Sequence, residues 1–417
     1  MYGQKFPSTY SLSVARRGAL CLRPSGMYTG DMYMTILGRQ SALGLAELER
    51  AYGSARRFSA SVATLEAAPD VLKLGGSLKT GRVVLTLPRG EWRDVHTKIM
   101  QHYTNQWKSS DHKITLGISV YGLRATSRDI QRTGLELKKK LKQHDTSLRL
   151  IPNTSAALNT ATAHHNKLGL SPTKVELLIA KGSDGTIIIA ESTGAQHITA
   201  LARRDQGRPK RDAFVGMLPP KLAQIIVNLA TGSRRAPLTV LDPFCGTGVL
   251  LQEAMLMGYN TYGTDLADKM IDFSEVNLAW AQQKLHAPGQ YRLSQGDAMA
   301  MQWQPPIDAV ACETYLGQPF SAPPSPTKLR EVRGNCNHII VSFLANIASQ
   351  LASGTPLCIA VPAWRATDGS FTHLPLTREL ESYGFRRIAL TSVEASELLY
   401  YREDQVVARE LLVIEKI

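Results

Sequence analysis

The chain has 417 residues, too many for one ordinary hydrophobic core, so two or three domains are expected. Hydrophobic residues make up 43% and charged residues 20%, as in globular proteins, and no apolar run reaches the roughly 18 residues that a membrane span needs. The five cysteines are scattered and never in C-x-x-C spacing, which argues against a disulfide framework or a zinc site and favours a reducing, cytoplasmic compartment.

The net charge of +13 is unevenly distributed along the chain. Residues 1–230 contain 33 Lys and Arg against 16 Asp and Glu, whereas the remainder contains 15 against 19. A strongly basic half joined to a mildly acidic half suits an enzyme in which one part holds a polyanion. The alternative is that the basic stretches are solvated helix faces. We therefore treat the basic half as a candidate nucleic-acid-binding region.

Residues 1–31 are an unassigned extension, and from Met32 short strands alternate with amphipathic helices, an α+β pattern. Two units are predicted, at residues 32–105 and 106–195. The elements predicted for the first are the strands 33–37 and 82–87 and the helices 43–51 and 91–103. Those predicted for the second are the strands 113–122, 148–151, 175–180 and 186–190 and the helices 127–143 and 154–166.

Two basic clusters in this half are candidate phosphate contacts. The helix 127–143 ends with Lys138, Lys139, Lys140 and Lys142, where cations are also favoured simply by the helix dipole. Residues 196–220, dense in Arg, Gly and Pro, are predicted to be a structured linker. Its candidate phosphate ligands are Arg203, Arg204, Arg208 and Arg211, unless Asp205 and Asp212 pair with some of them.

A strand, a glycine turn and a helix follow the helix predicted at 221–230. The strand 238–241 stops at Asp242, and the turn through Gly246 and Gly248 lets a ligand approach the backbone and the start of the helix at Val249. The turn lacks the full G-x-G-x-x-G spacing, and Asp242 would repel a pyrophosphate. A nucleoside ligand that carries a cationic sulfonium meets no such objection.

Two more carboxylates follow neighbouring predicted strands. Asp265 ends the strand 261–264, about 20 residues further on, where it can accept from two ribose hydroxyls. Asp297 follows the strand that begins at Tyr291 and is placed to reach an adenine amino group. The alternative is that each is a turn or N-cap residue. Three acidic strand ends in register favour a ligand site.

The rest of the chain completes an α/β domain at residues 221–417. The strand 307–312 leads into the loop 313–320, where chemistry is expected because it lies at a strand's carboxyl end. A helix at 338–352, a strand at 356–361, a helix at 376–384 and strands at 387–393 and 405–415 follow. Together they predict a doubly wound, Rossmann-like seven-strand sheet with a reversed last strand.

Several segments resemble the THUMP-domain tRNA guanine-N2 methyltransferases that act at tRNA position 10. They are ARRDQGRPKRDAFVGMLPPKLAQIIVNLA, LDPFCGTGVLLQEA and LYYREDQVVARELLVIEK, with ILGRQSALGLAELE and KLGGSLKTGRVV nearer the start. The resemblance implies a ferredoxin-like domain at 32–105, a THUMP RNA-binding domain at 106–195 and a Rossmann-like methyltransferase domain. It also implies S-adenosylmethionine as the cofactor, tRNA as the substrate and, as in eukaryotic relatives, a possible small helper subunit.

The resemblance also implies roles for residues of this chain. The amino acid part of the cofactor would be bound by Asp242, Pro243, Phe244, Cys245, Gly246 and Gly248, the ribose by Asp265 and the adenine by Asp297. Related catalytic loops read D-P-P-Y or T-E-P-Y-L-G, whereas this chain has C-E-T-Y-L-G from Cys312 to Gly317. The catalytic Asp is thus replaced by Cys312, and the acid is displaced to Glu313. Tyr315 would stack on the extruded base. The candidate catalytic residues are Cys312, Glu313 and Tyr315.

The leading hypothesis is an S-adenosylmethionine-dependent enzyme that methylates the exocyclic N2 of a guanosine in tRNA. The altered loop leaves two alternatives open. One is a non-catalytic RNA-binding protein that retains a cofactor pocket. The other is an N2-guanine methyltransferase that acts on ribosomal RNA. No metal is expected, because the mechanism requires none.

Overall fold

The computed structural model describes residues 31–212 and 218–417. The predicted extension therefore lies outside the described residues except for Asp31, and so do five residues of the predicted linker, 213–217. Among the described residues, no helix is both long and apolar enough to cross a membrane.

The amino-terminal part is built on one eight-stranded sheet with the order β2-β3-β1-β4-β8-β7-β5-β6. Its strands are β1 (Tyr33–Leu37), β2 (Ala55–Ser59), β3 (Val62–Leu65), β4 (Ser77–Leu87), β5 (Ile114–Tyr121), β6 (Leu148–Leu150), β7 (Lys174–Lys181) and β8 (Ile187–Ala195). Its helices are α1 (Ser41–Tyr52), α2 (Trp92–Trp107), α3 (Ser127–Lys142) and α4 (Thr160–His165).

The two predicted amino-terminal units share this sheet. β4 pairs antiparallel with β8 from Lys79 opposite Ala195 to Leu87 opposite Ile187, so main-chain hydrogen bonds join the units directly. The predicted boundary after residue 105 falls inside α2, which continues to Trp107. The sheet is therefore continuous across the two predicted units, and α2 connects them along the chain.

The carboxy-terminal part contains a second sheet with the order β11-β10-β9-β12-β13-β17-β15. Its strands are β9 (Thr239–Asp242), β10 (Asn260–Asp265), β11 (Tyr291–Gln295), β12 (Ala309–Glu313), β13 (Pro356–Arg365), β14 (Phe371–Thr372), β15 (Phe385–Arg387), β16 (Leu399–Tyr400) and β17 (Val407–Lys416), of which β14 and β16 are short additions. Its helices are α5 (Ile198–Gln206), α6 (Pro220–Thr231), α7 (Val249–Leu256), α8 (Asp268–Leu285) and α9 (Pro326–Ala348).

The strand directions confirm the predicted doubly wound sheet. β9 to β13 pair in parallel, whereas β17 runs antiparallel to both β13 and β15, as predicted for the last strand. The strand order reverses between β9 and β12, and in such sheets the crevice at the carboxyl ends of these strands is the usual ligand site. The predicted glycine turn and the predicted catalytic loop both leave the sheet there.

Several predicted elements were wrong in extent or type. The hairpin of β2 and β3 and the helix α8 were not predicted, and α5 lies inside the predicted linker. α9 begins 12 residues before its predicted start, because Ser325 caps it and Pro326 occupies its first turn. The predicted helix 376–384 consists of two single 3-10 turns, Pro375–Arg378 and Leu380–Tyr383.

The two parts are joined through a buried carboxylate on α1. Glu47 is fully buried and accepts from Gly75 N at 2.9 Å, Gly76 N at 2.8 Å and Asn228 Nδ2, on α6, at 2.7 Å. The glycines are required, since a Cβ on Gly76 would lie 2.4 Å from the Cα of Gly44. Burial raises the pKa of Glu47 to about 7. The Glu47 side chain thus joins α1, the segment at Gly75 and Gly76, and α6.

Replacing Glu47 is expected to loosen this junction. Glu47→Ala leaves three buried donors without their acceptor, and we expect the free energy of unfolding to fall by about 3 kcal/mol. Urea unfolding followed by circular dichroism measures this loss. Glu66→Ala, at an exposed position, is the control and should change little. Equal stability of the two variants would contradict the assigned role of Glu47.

Candidate active site

The turn after β9 has the geometry of a ligand-binding turn. Asp242 is 2% exposed, and its Oδ1 accepts from Phe244 N at 3.1 Å. Cys245 N donates to Thr264 O at 2.9 Å, which ties the turn to β10. Gly248 has φ +78°, and a Cβ there would lie 2.9 Å from Ser274 Oγ, so this position needs glycine. α7 begins at the next residue and presents its first N–H groups toward the turn.

The other two predicted carboxylates lie beside this turn. Asp265 accepts from Gly246 N at 2.9 Å and from Ala267 N at 3.0 Å. Asp297 accepts from Met299 N at 2.9 Å. Since β9, β10 and β11 pair in parallel, their carboxyl ends meet at one edge of the sheet. The structure therefore brings together the three acids that the sequence singled out.

All three acids line one cavity of about 540 Å³ at the strand switch point. Most of the predicted site residues line it too: Pro243, Phe244, Cys245, Gly246, Glu313 and Tyr315. The sequence analysis missed part of its lining, namely Leu218, Thr247, Leu266, Met270, Met299 and Ile339. Of these, Met270 lies on α8 and Ile339 on α9, and the packing of these helices brings both to the cavity.

The cavity carries a concentration of negative charge. The pKa of Asp242 is raised well above its ordinary value, first because burial desolvates its carboxylate and then because Asp265 and Glu313 lie nearby. A cation in the cavity would offset both effects. The electrostatics therefore favour a positively charged ligand over an anionic one.

The structure does not bring Cys312 into the cavity. Its side chain is 0% exposed and packs in the apolar cluster beneath α9, with Phe343 and Leu344. Burial also raises the pKa of this thiol well above its usual range, which makes it a poor nucleophile or base. We therefore withdraw Cys312 from the candidate catalytic residues.

Glu313 and Tyr315, in contrast, both reach the cavity. Thr314, between them, is buried and donates from its N at 3.0 Å and its Oγ1 at 2.9 Å to Ala360 O on β13. These two bonds hold the loop as it leaves the sheet. Glu313 forms an ion pair with Arg409 of β17, and the ring of Tyr315 is 43% exposed. The loop thus presents a carboxylate and an accessible aromatic ring side by side.

The candidate phosphate ligands fall into two groups. Exposed on the surface are Lys138, Lys139, Lys140 and Lys142, at the end of α3, together with Arg203 and Arg211. The remaining two arginines are engaged inside the protein. Arg204 Nε lies 2.9 Å from Oε1 of the fully buried Glu253, and Arg208 is 4% exposed and donates to Thr247 Oγ1 at 3.1 Å. Neither guanidinium is exposed on the surface. Asp212 pairs with Lys269 of α8, at 2.8 Å.

Comparison with known proteins agrees with this geometry. Residues 208–329 match the sequence model of the family described as RMKL-like, methyltransferase domain. The chain is 31% identical over 160 residues to the tRNA (guanine(10)-N2)-dimethyltransferase of Methanothermobacter thermautotrophicus, covering 38% of this chain and 43% of that protein. It is 27% identical over 252 residues to the protein of the same name in Methanocaldococcus jannaschii, covering 57% and 65%. The chain thus spans less than two thirds of the length of these relatives.

A solved structure extends the likeness to nearly the whole chain. TrmN from Thermus thermophilus superposes with a TM-score of 0.50 at 16% identity, covering 93% of this chain and 100% of that one. At this identity the likeness concerns the fold. Together with the family match, it confirms the predicted α/β architecture with a Rossmann-like methyltransferase domain. The expected cofactor, S-adenosylmethionine, is confirmed as the cofactor of this class of domain.

The two groups of arginines should respond differently to substitution. Arg204→Ala removes the cation that faces the buried Glu253 carboxylate, and we expect the free energy of unfolding to fall by about 3 kcal/mol. Arg203→Ala, at the exposed neighbour, should change it by less than about 0.5 kcal/mol. Chemical unfolding of both variants measures the difference. A stable Arg204→Ala protein with weakened RNA binding would return Arg204 to the phosphate ligands.

Proposed function

We propose that the chain is an S-adenosylmethionine-dependent methyltransferase that modifies the exocyclic N2 of a guanosine in tRNA, at position 10 as the names of its relatives state for them. The observation that carries this proposal is the shared cavity. The three acids at the ends of β9, β10 and β11 open into the same space as Glu313 and Tyr315. A nucleoside cofactor and an extruded base can therefore meet there.

The residues present fit this cofactor. Each bonded carboxylate oxygen of Asp265 and Asp297 accepts a single backbone N–H and keeps a second lone pair. Asp265 can therefore also accept from ribose hydroxyls, and Asp297 from the adenine amino group. Leu266, 68% exposed beside Asp265, offers apolar surface to the adenosine. The glycine turn would hold the amino acid part near the first N–H groups of α7. When bound, the cofactor supplies an electrophilic methyl group, and its sulfonium charge suits the acidic cavity.

The catalytic loop has the groups that an amine acceptor needs. The lone pair of the guanine N2 is delocalised into the ring, so an acceptor must reorient its N–H bonds before nitrogen can attack a methyl carbon. Glu313 is placed to accept from that N–H and to take the proton as the N–C bond forms. Tyr315, with its ring accessible at the cavity mouth, would stack on the extruded guanine.

The RNA itself would be held by the basic amino-terminal part. We infer that residues 106–195 act as the THUMP domain that the sequence resemblance implies, with the exposed lysines of α3 contacting phosphates. A shallow groove on the same helix, beside Lys139, adds Arg128 and Arg132 to this basic surface. Several such contacts make binding steeply dependent on salt, because each phosphate contact releases counterions. Arg203 would extend the surface toward the methyltransferase domain.

The direct test is transfer of labelled methyl groups from S-adenosylmethionine to unmodified tRNA transcripts. We expect label in tRNA with the native protein, and a loss of about 100-fold or more in Glu313→Ala and Tyr315→Ala. Cofactor and tRNA binding should survive in both variants. A transcript with adenosine in place of guanosine at position 10 is the control for the site. Binding without any label would point to a non-catalytic RNA-binding protein, and label in ribosomal RNA alone would change the substrate.

The affinity for S-adenosylmethionine should rise with pH. Because burial raises the pKa of Asp242, its carboxyl in the free protein stays neutral to higher pH than that of an ordinary aspartate, whereas a cationic ligand favours the ionised form. Binding therefore releases a proton, and affinity increases with pH until Asp242 is ionised in the free protein. Calorimetry in buffers of different ionisation enthalpy measures the proton release. S-adenosylhomocysteine, which lacks the sulfonium charge, should show a weaker pH dependence, and an equal dependence would contradict this account.

A further inference from the structure

The carboxylate of Glu313 is held by an arginine from a different part of the sheet. Arg409 lies on β17, and its Nε donates to Glu313 Oε1. Both side chains are largely buried, at 11% and 14% exposed. The bond uses one carboxylate oxygen and leaves Oε2 for the cavity that Glu313 lines. The acid that faces the proposed substrate amine is therefore charge-paired on one side only.

The pairing depends on strand order, not on nearness in the sequence. β13 separates β12 from β17, with Ala360 opposite Glu313 and Pro362 opposite Arg409. Strands two apart in a sheet are about 10 Å from each other, a distance that an extended arginine and a glutamate can bridge together. The side chain at Ala360 is a single methyl group, which leaves room for the guanidinium above the sheet.

Arg409 is itself fixed in place. The ring of Tyr400, opposite it on β16, lies 6.0 Å from its guanidinium carbon. The next residue along this segment, Tyr401, receives hydrogen bonds on its carbonyl from Gln40 at 2.6 Å and Arg39 at 2.9 Å. The amino-terminal part thus supports the segment that covers Arg409.

Another acid is close in sequence but does not compete for Arg409. Glu410 follows Arg409 on β17, so its side chain points to the opposite face of the sheet. There it pairs with His373 Nδ1 at 2.7 Å. Arg409 therefore pairs with Glu313 and not with Glu410.

We propose that Arg409 is the positioning residue of the displaced acid and holds Glu313 turned so that Oε2 meets the substrate amine. The inference rests on the proposed function. Its reason is local: related loops of the D-P-P-Y type carry their acid at the position of Cys312, which in this chain faces the core. An acid shifted by one residue points to the other face of the strand, and the cation on β17 holds it at the cavity.

The test compares Arg409→Gln and Arg409→Lys with Arg386→Gln as the matched control. Arg386, on the edge strand β15, also pairs with a glutamate, Glu415 of β17 at 2.7 Å, but is exposed. We expect Arg409→Gln to lower kcat by about 10-fold or more, with KM for tRNA and Kd for S-adenosylmethionine nearly unchanged. Arg409→Lys should recover part of the rate, and Arg386→Gln should keep it. Thermal unfolding verifies that each variant is folded.

A double-mutant cycle separates positioning from a merely structural ion pair. In the Glu313→Gln background, Arg409→Gln should lower kcat little further, since the two residues act as a unit. Unchanged kcat in a folded Arg409→Gln protein, or losses that multiply, would overturn the proposal. A native protein that transfers no methyl group to tRNA would instead remove the proposed function, and this inference with it.

Discussion

The site depends on holding four carboxylates close together at one edge of a parallel sheet. Such a cluster is costly to bury, and each acid is therefore tied to a donor: Asp242, Asp265 and Asp297 accept from backbone N–H groups of the turns that follow their strands, and Glu313 takes a guanidinium. One donor to Asp265, Gly246 N, belongs to the glycine turn after β9. The remaining negative charge is what makes the cavity suited to a cationic ligand.

Carboxylates that accept hydrogen bonds also join the two halves of the protein. Glu47 accepts from the N–H groups of Gly75 and Gly76 and from Asn228 on α6. Glu49, on the same helix, accepts from the backbone N and the side-chain hydroxyl of both Thr391 and Ser392. These contacts fix α1 against the methyltransferase domain and against the segment that leads to β16. The basic surface and the cavity consequently belong to one compact body, residues 31–417, as the proposed function requires.

Elements with a strong local signal were predicted well. β1 agrees with its prediction residue for residue, and α3, capped by Thr126, agrees to within one residue. Elements whose signal is tertiary were not. β2 carries the exposed Arg56 and Arg57 and lacks the apolar alternation of a half-buried strand, so its pairing with β3 is what makes it a strand. The predicted helix 376–384 is wrong, because the segment forms the separate 3-10 turns Pro375–Arg378 and Leu380–Tyr383, with Glu379 between them.

The sequence by itself determined the ligand turn. Asp242, Gly246 and Gly248 act through local backbone geometry, and Asp265 and Asp297 follow from the rule that parallel strands share their carboxyl edge. Only the tertiary structure decided which charges are available. It placed Arg204 and Arg208 inside the protein, turned Cys312 into the core, and brought Arg409 to Glu313 across 96 residues of chain. The physical reason is that strand order and helix packing decide which residue pairs with a charged side chain. These contacts join residues that are far apart in the sequence, so their spacing in the sequence does not predict the contact.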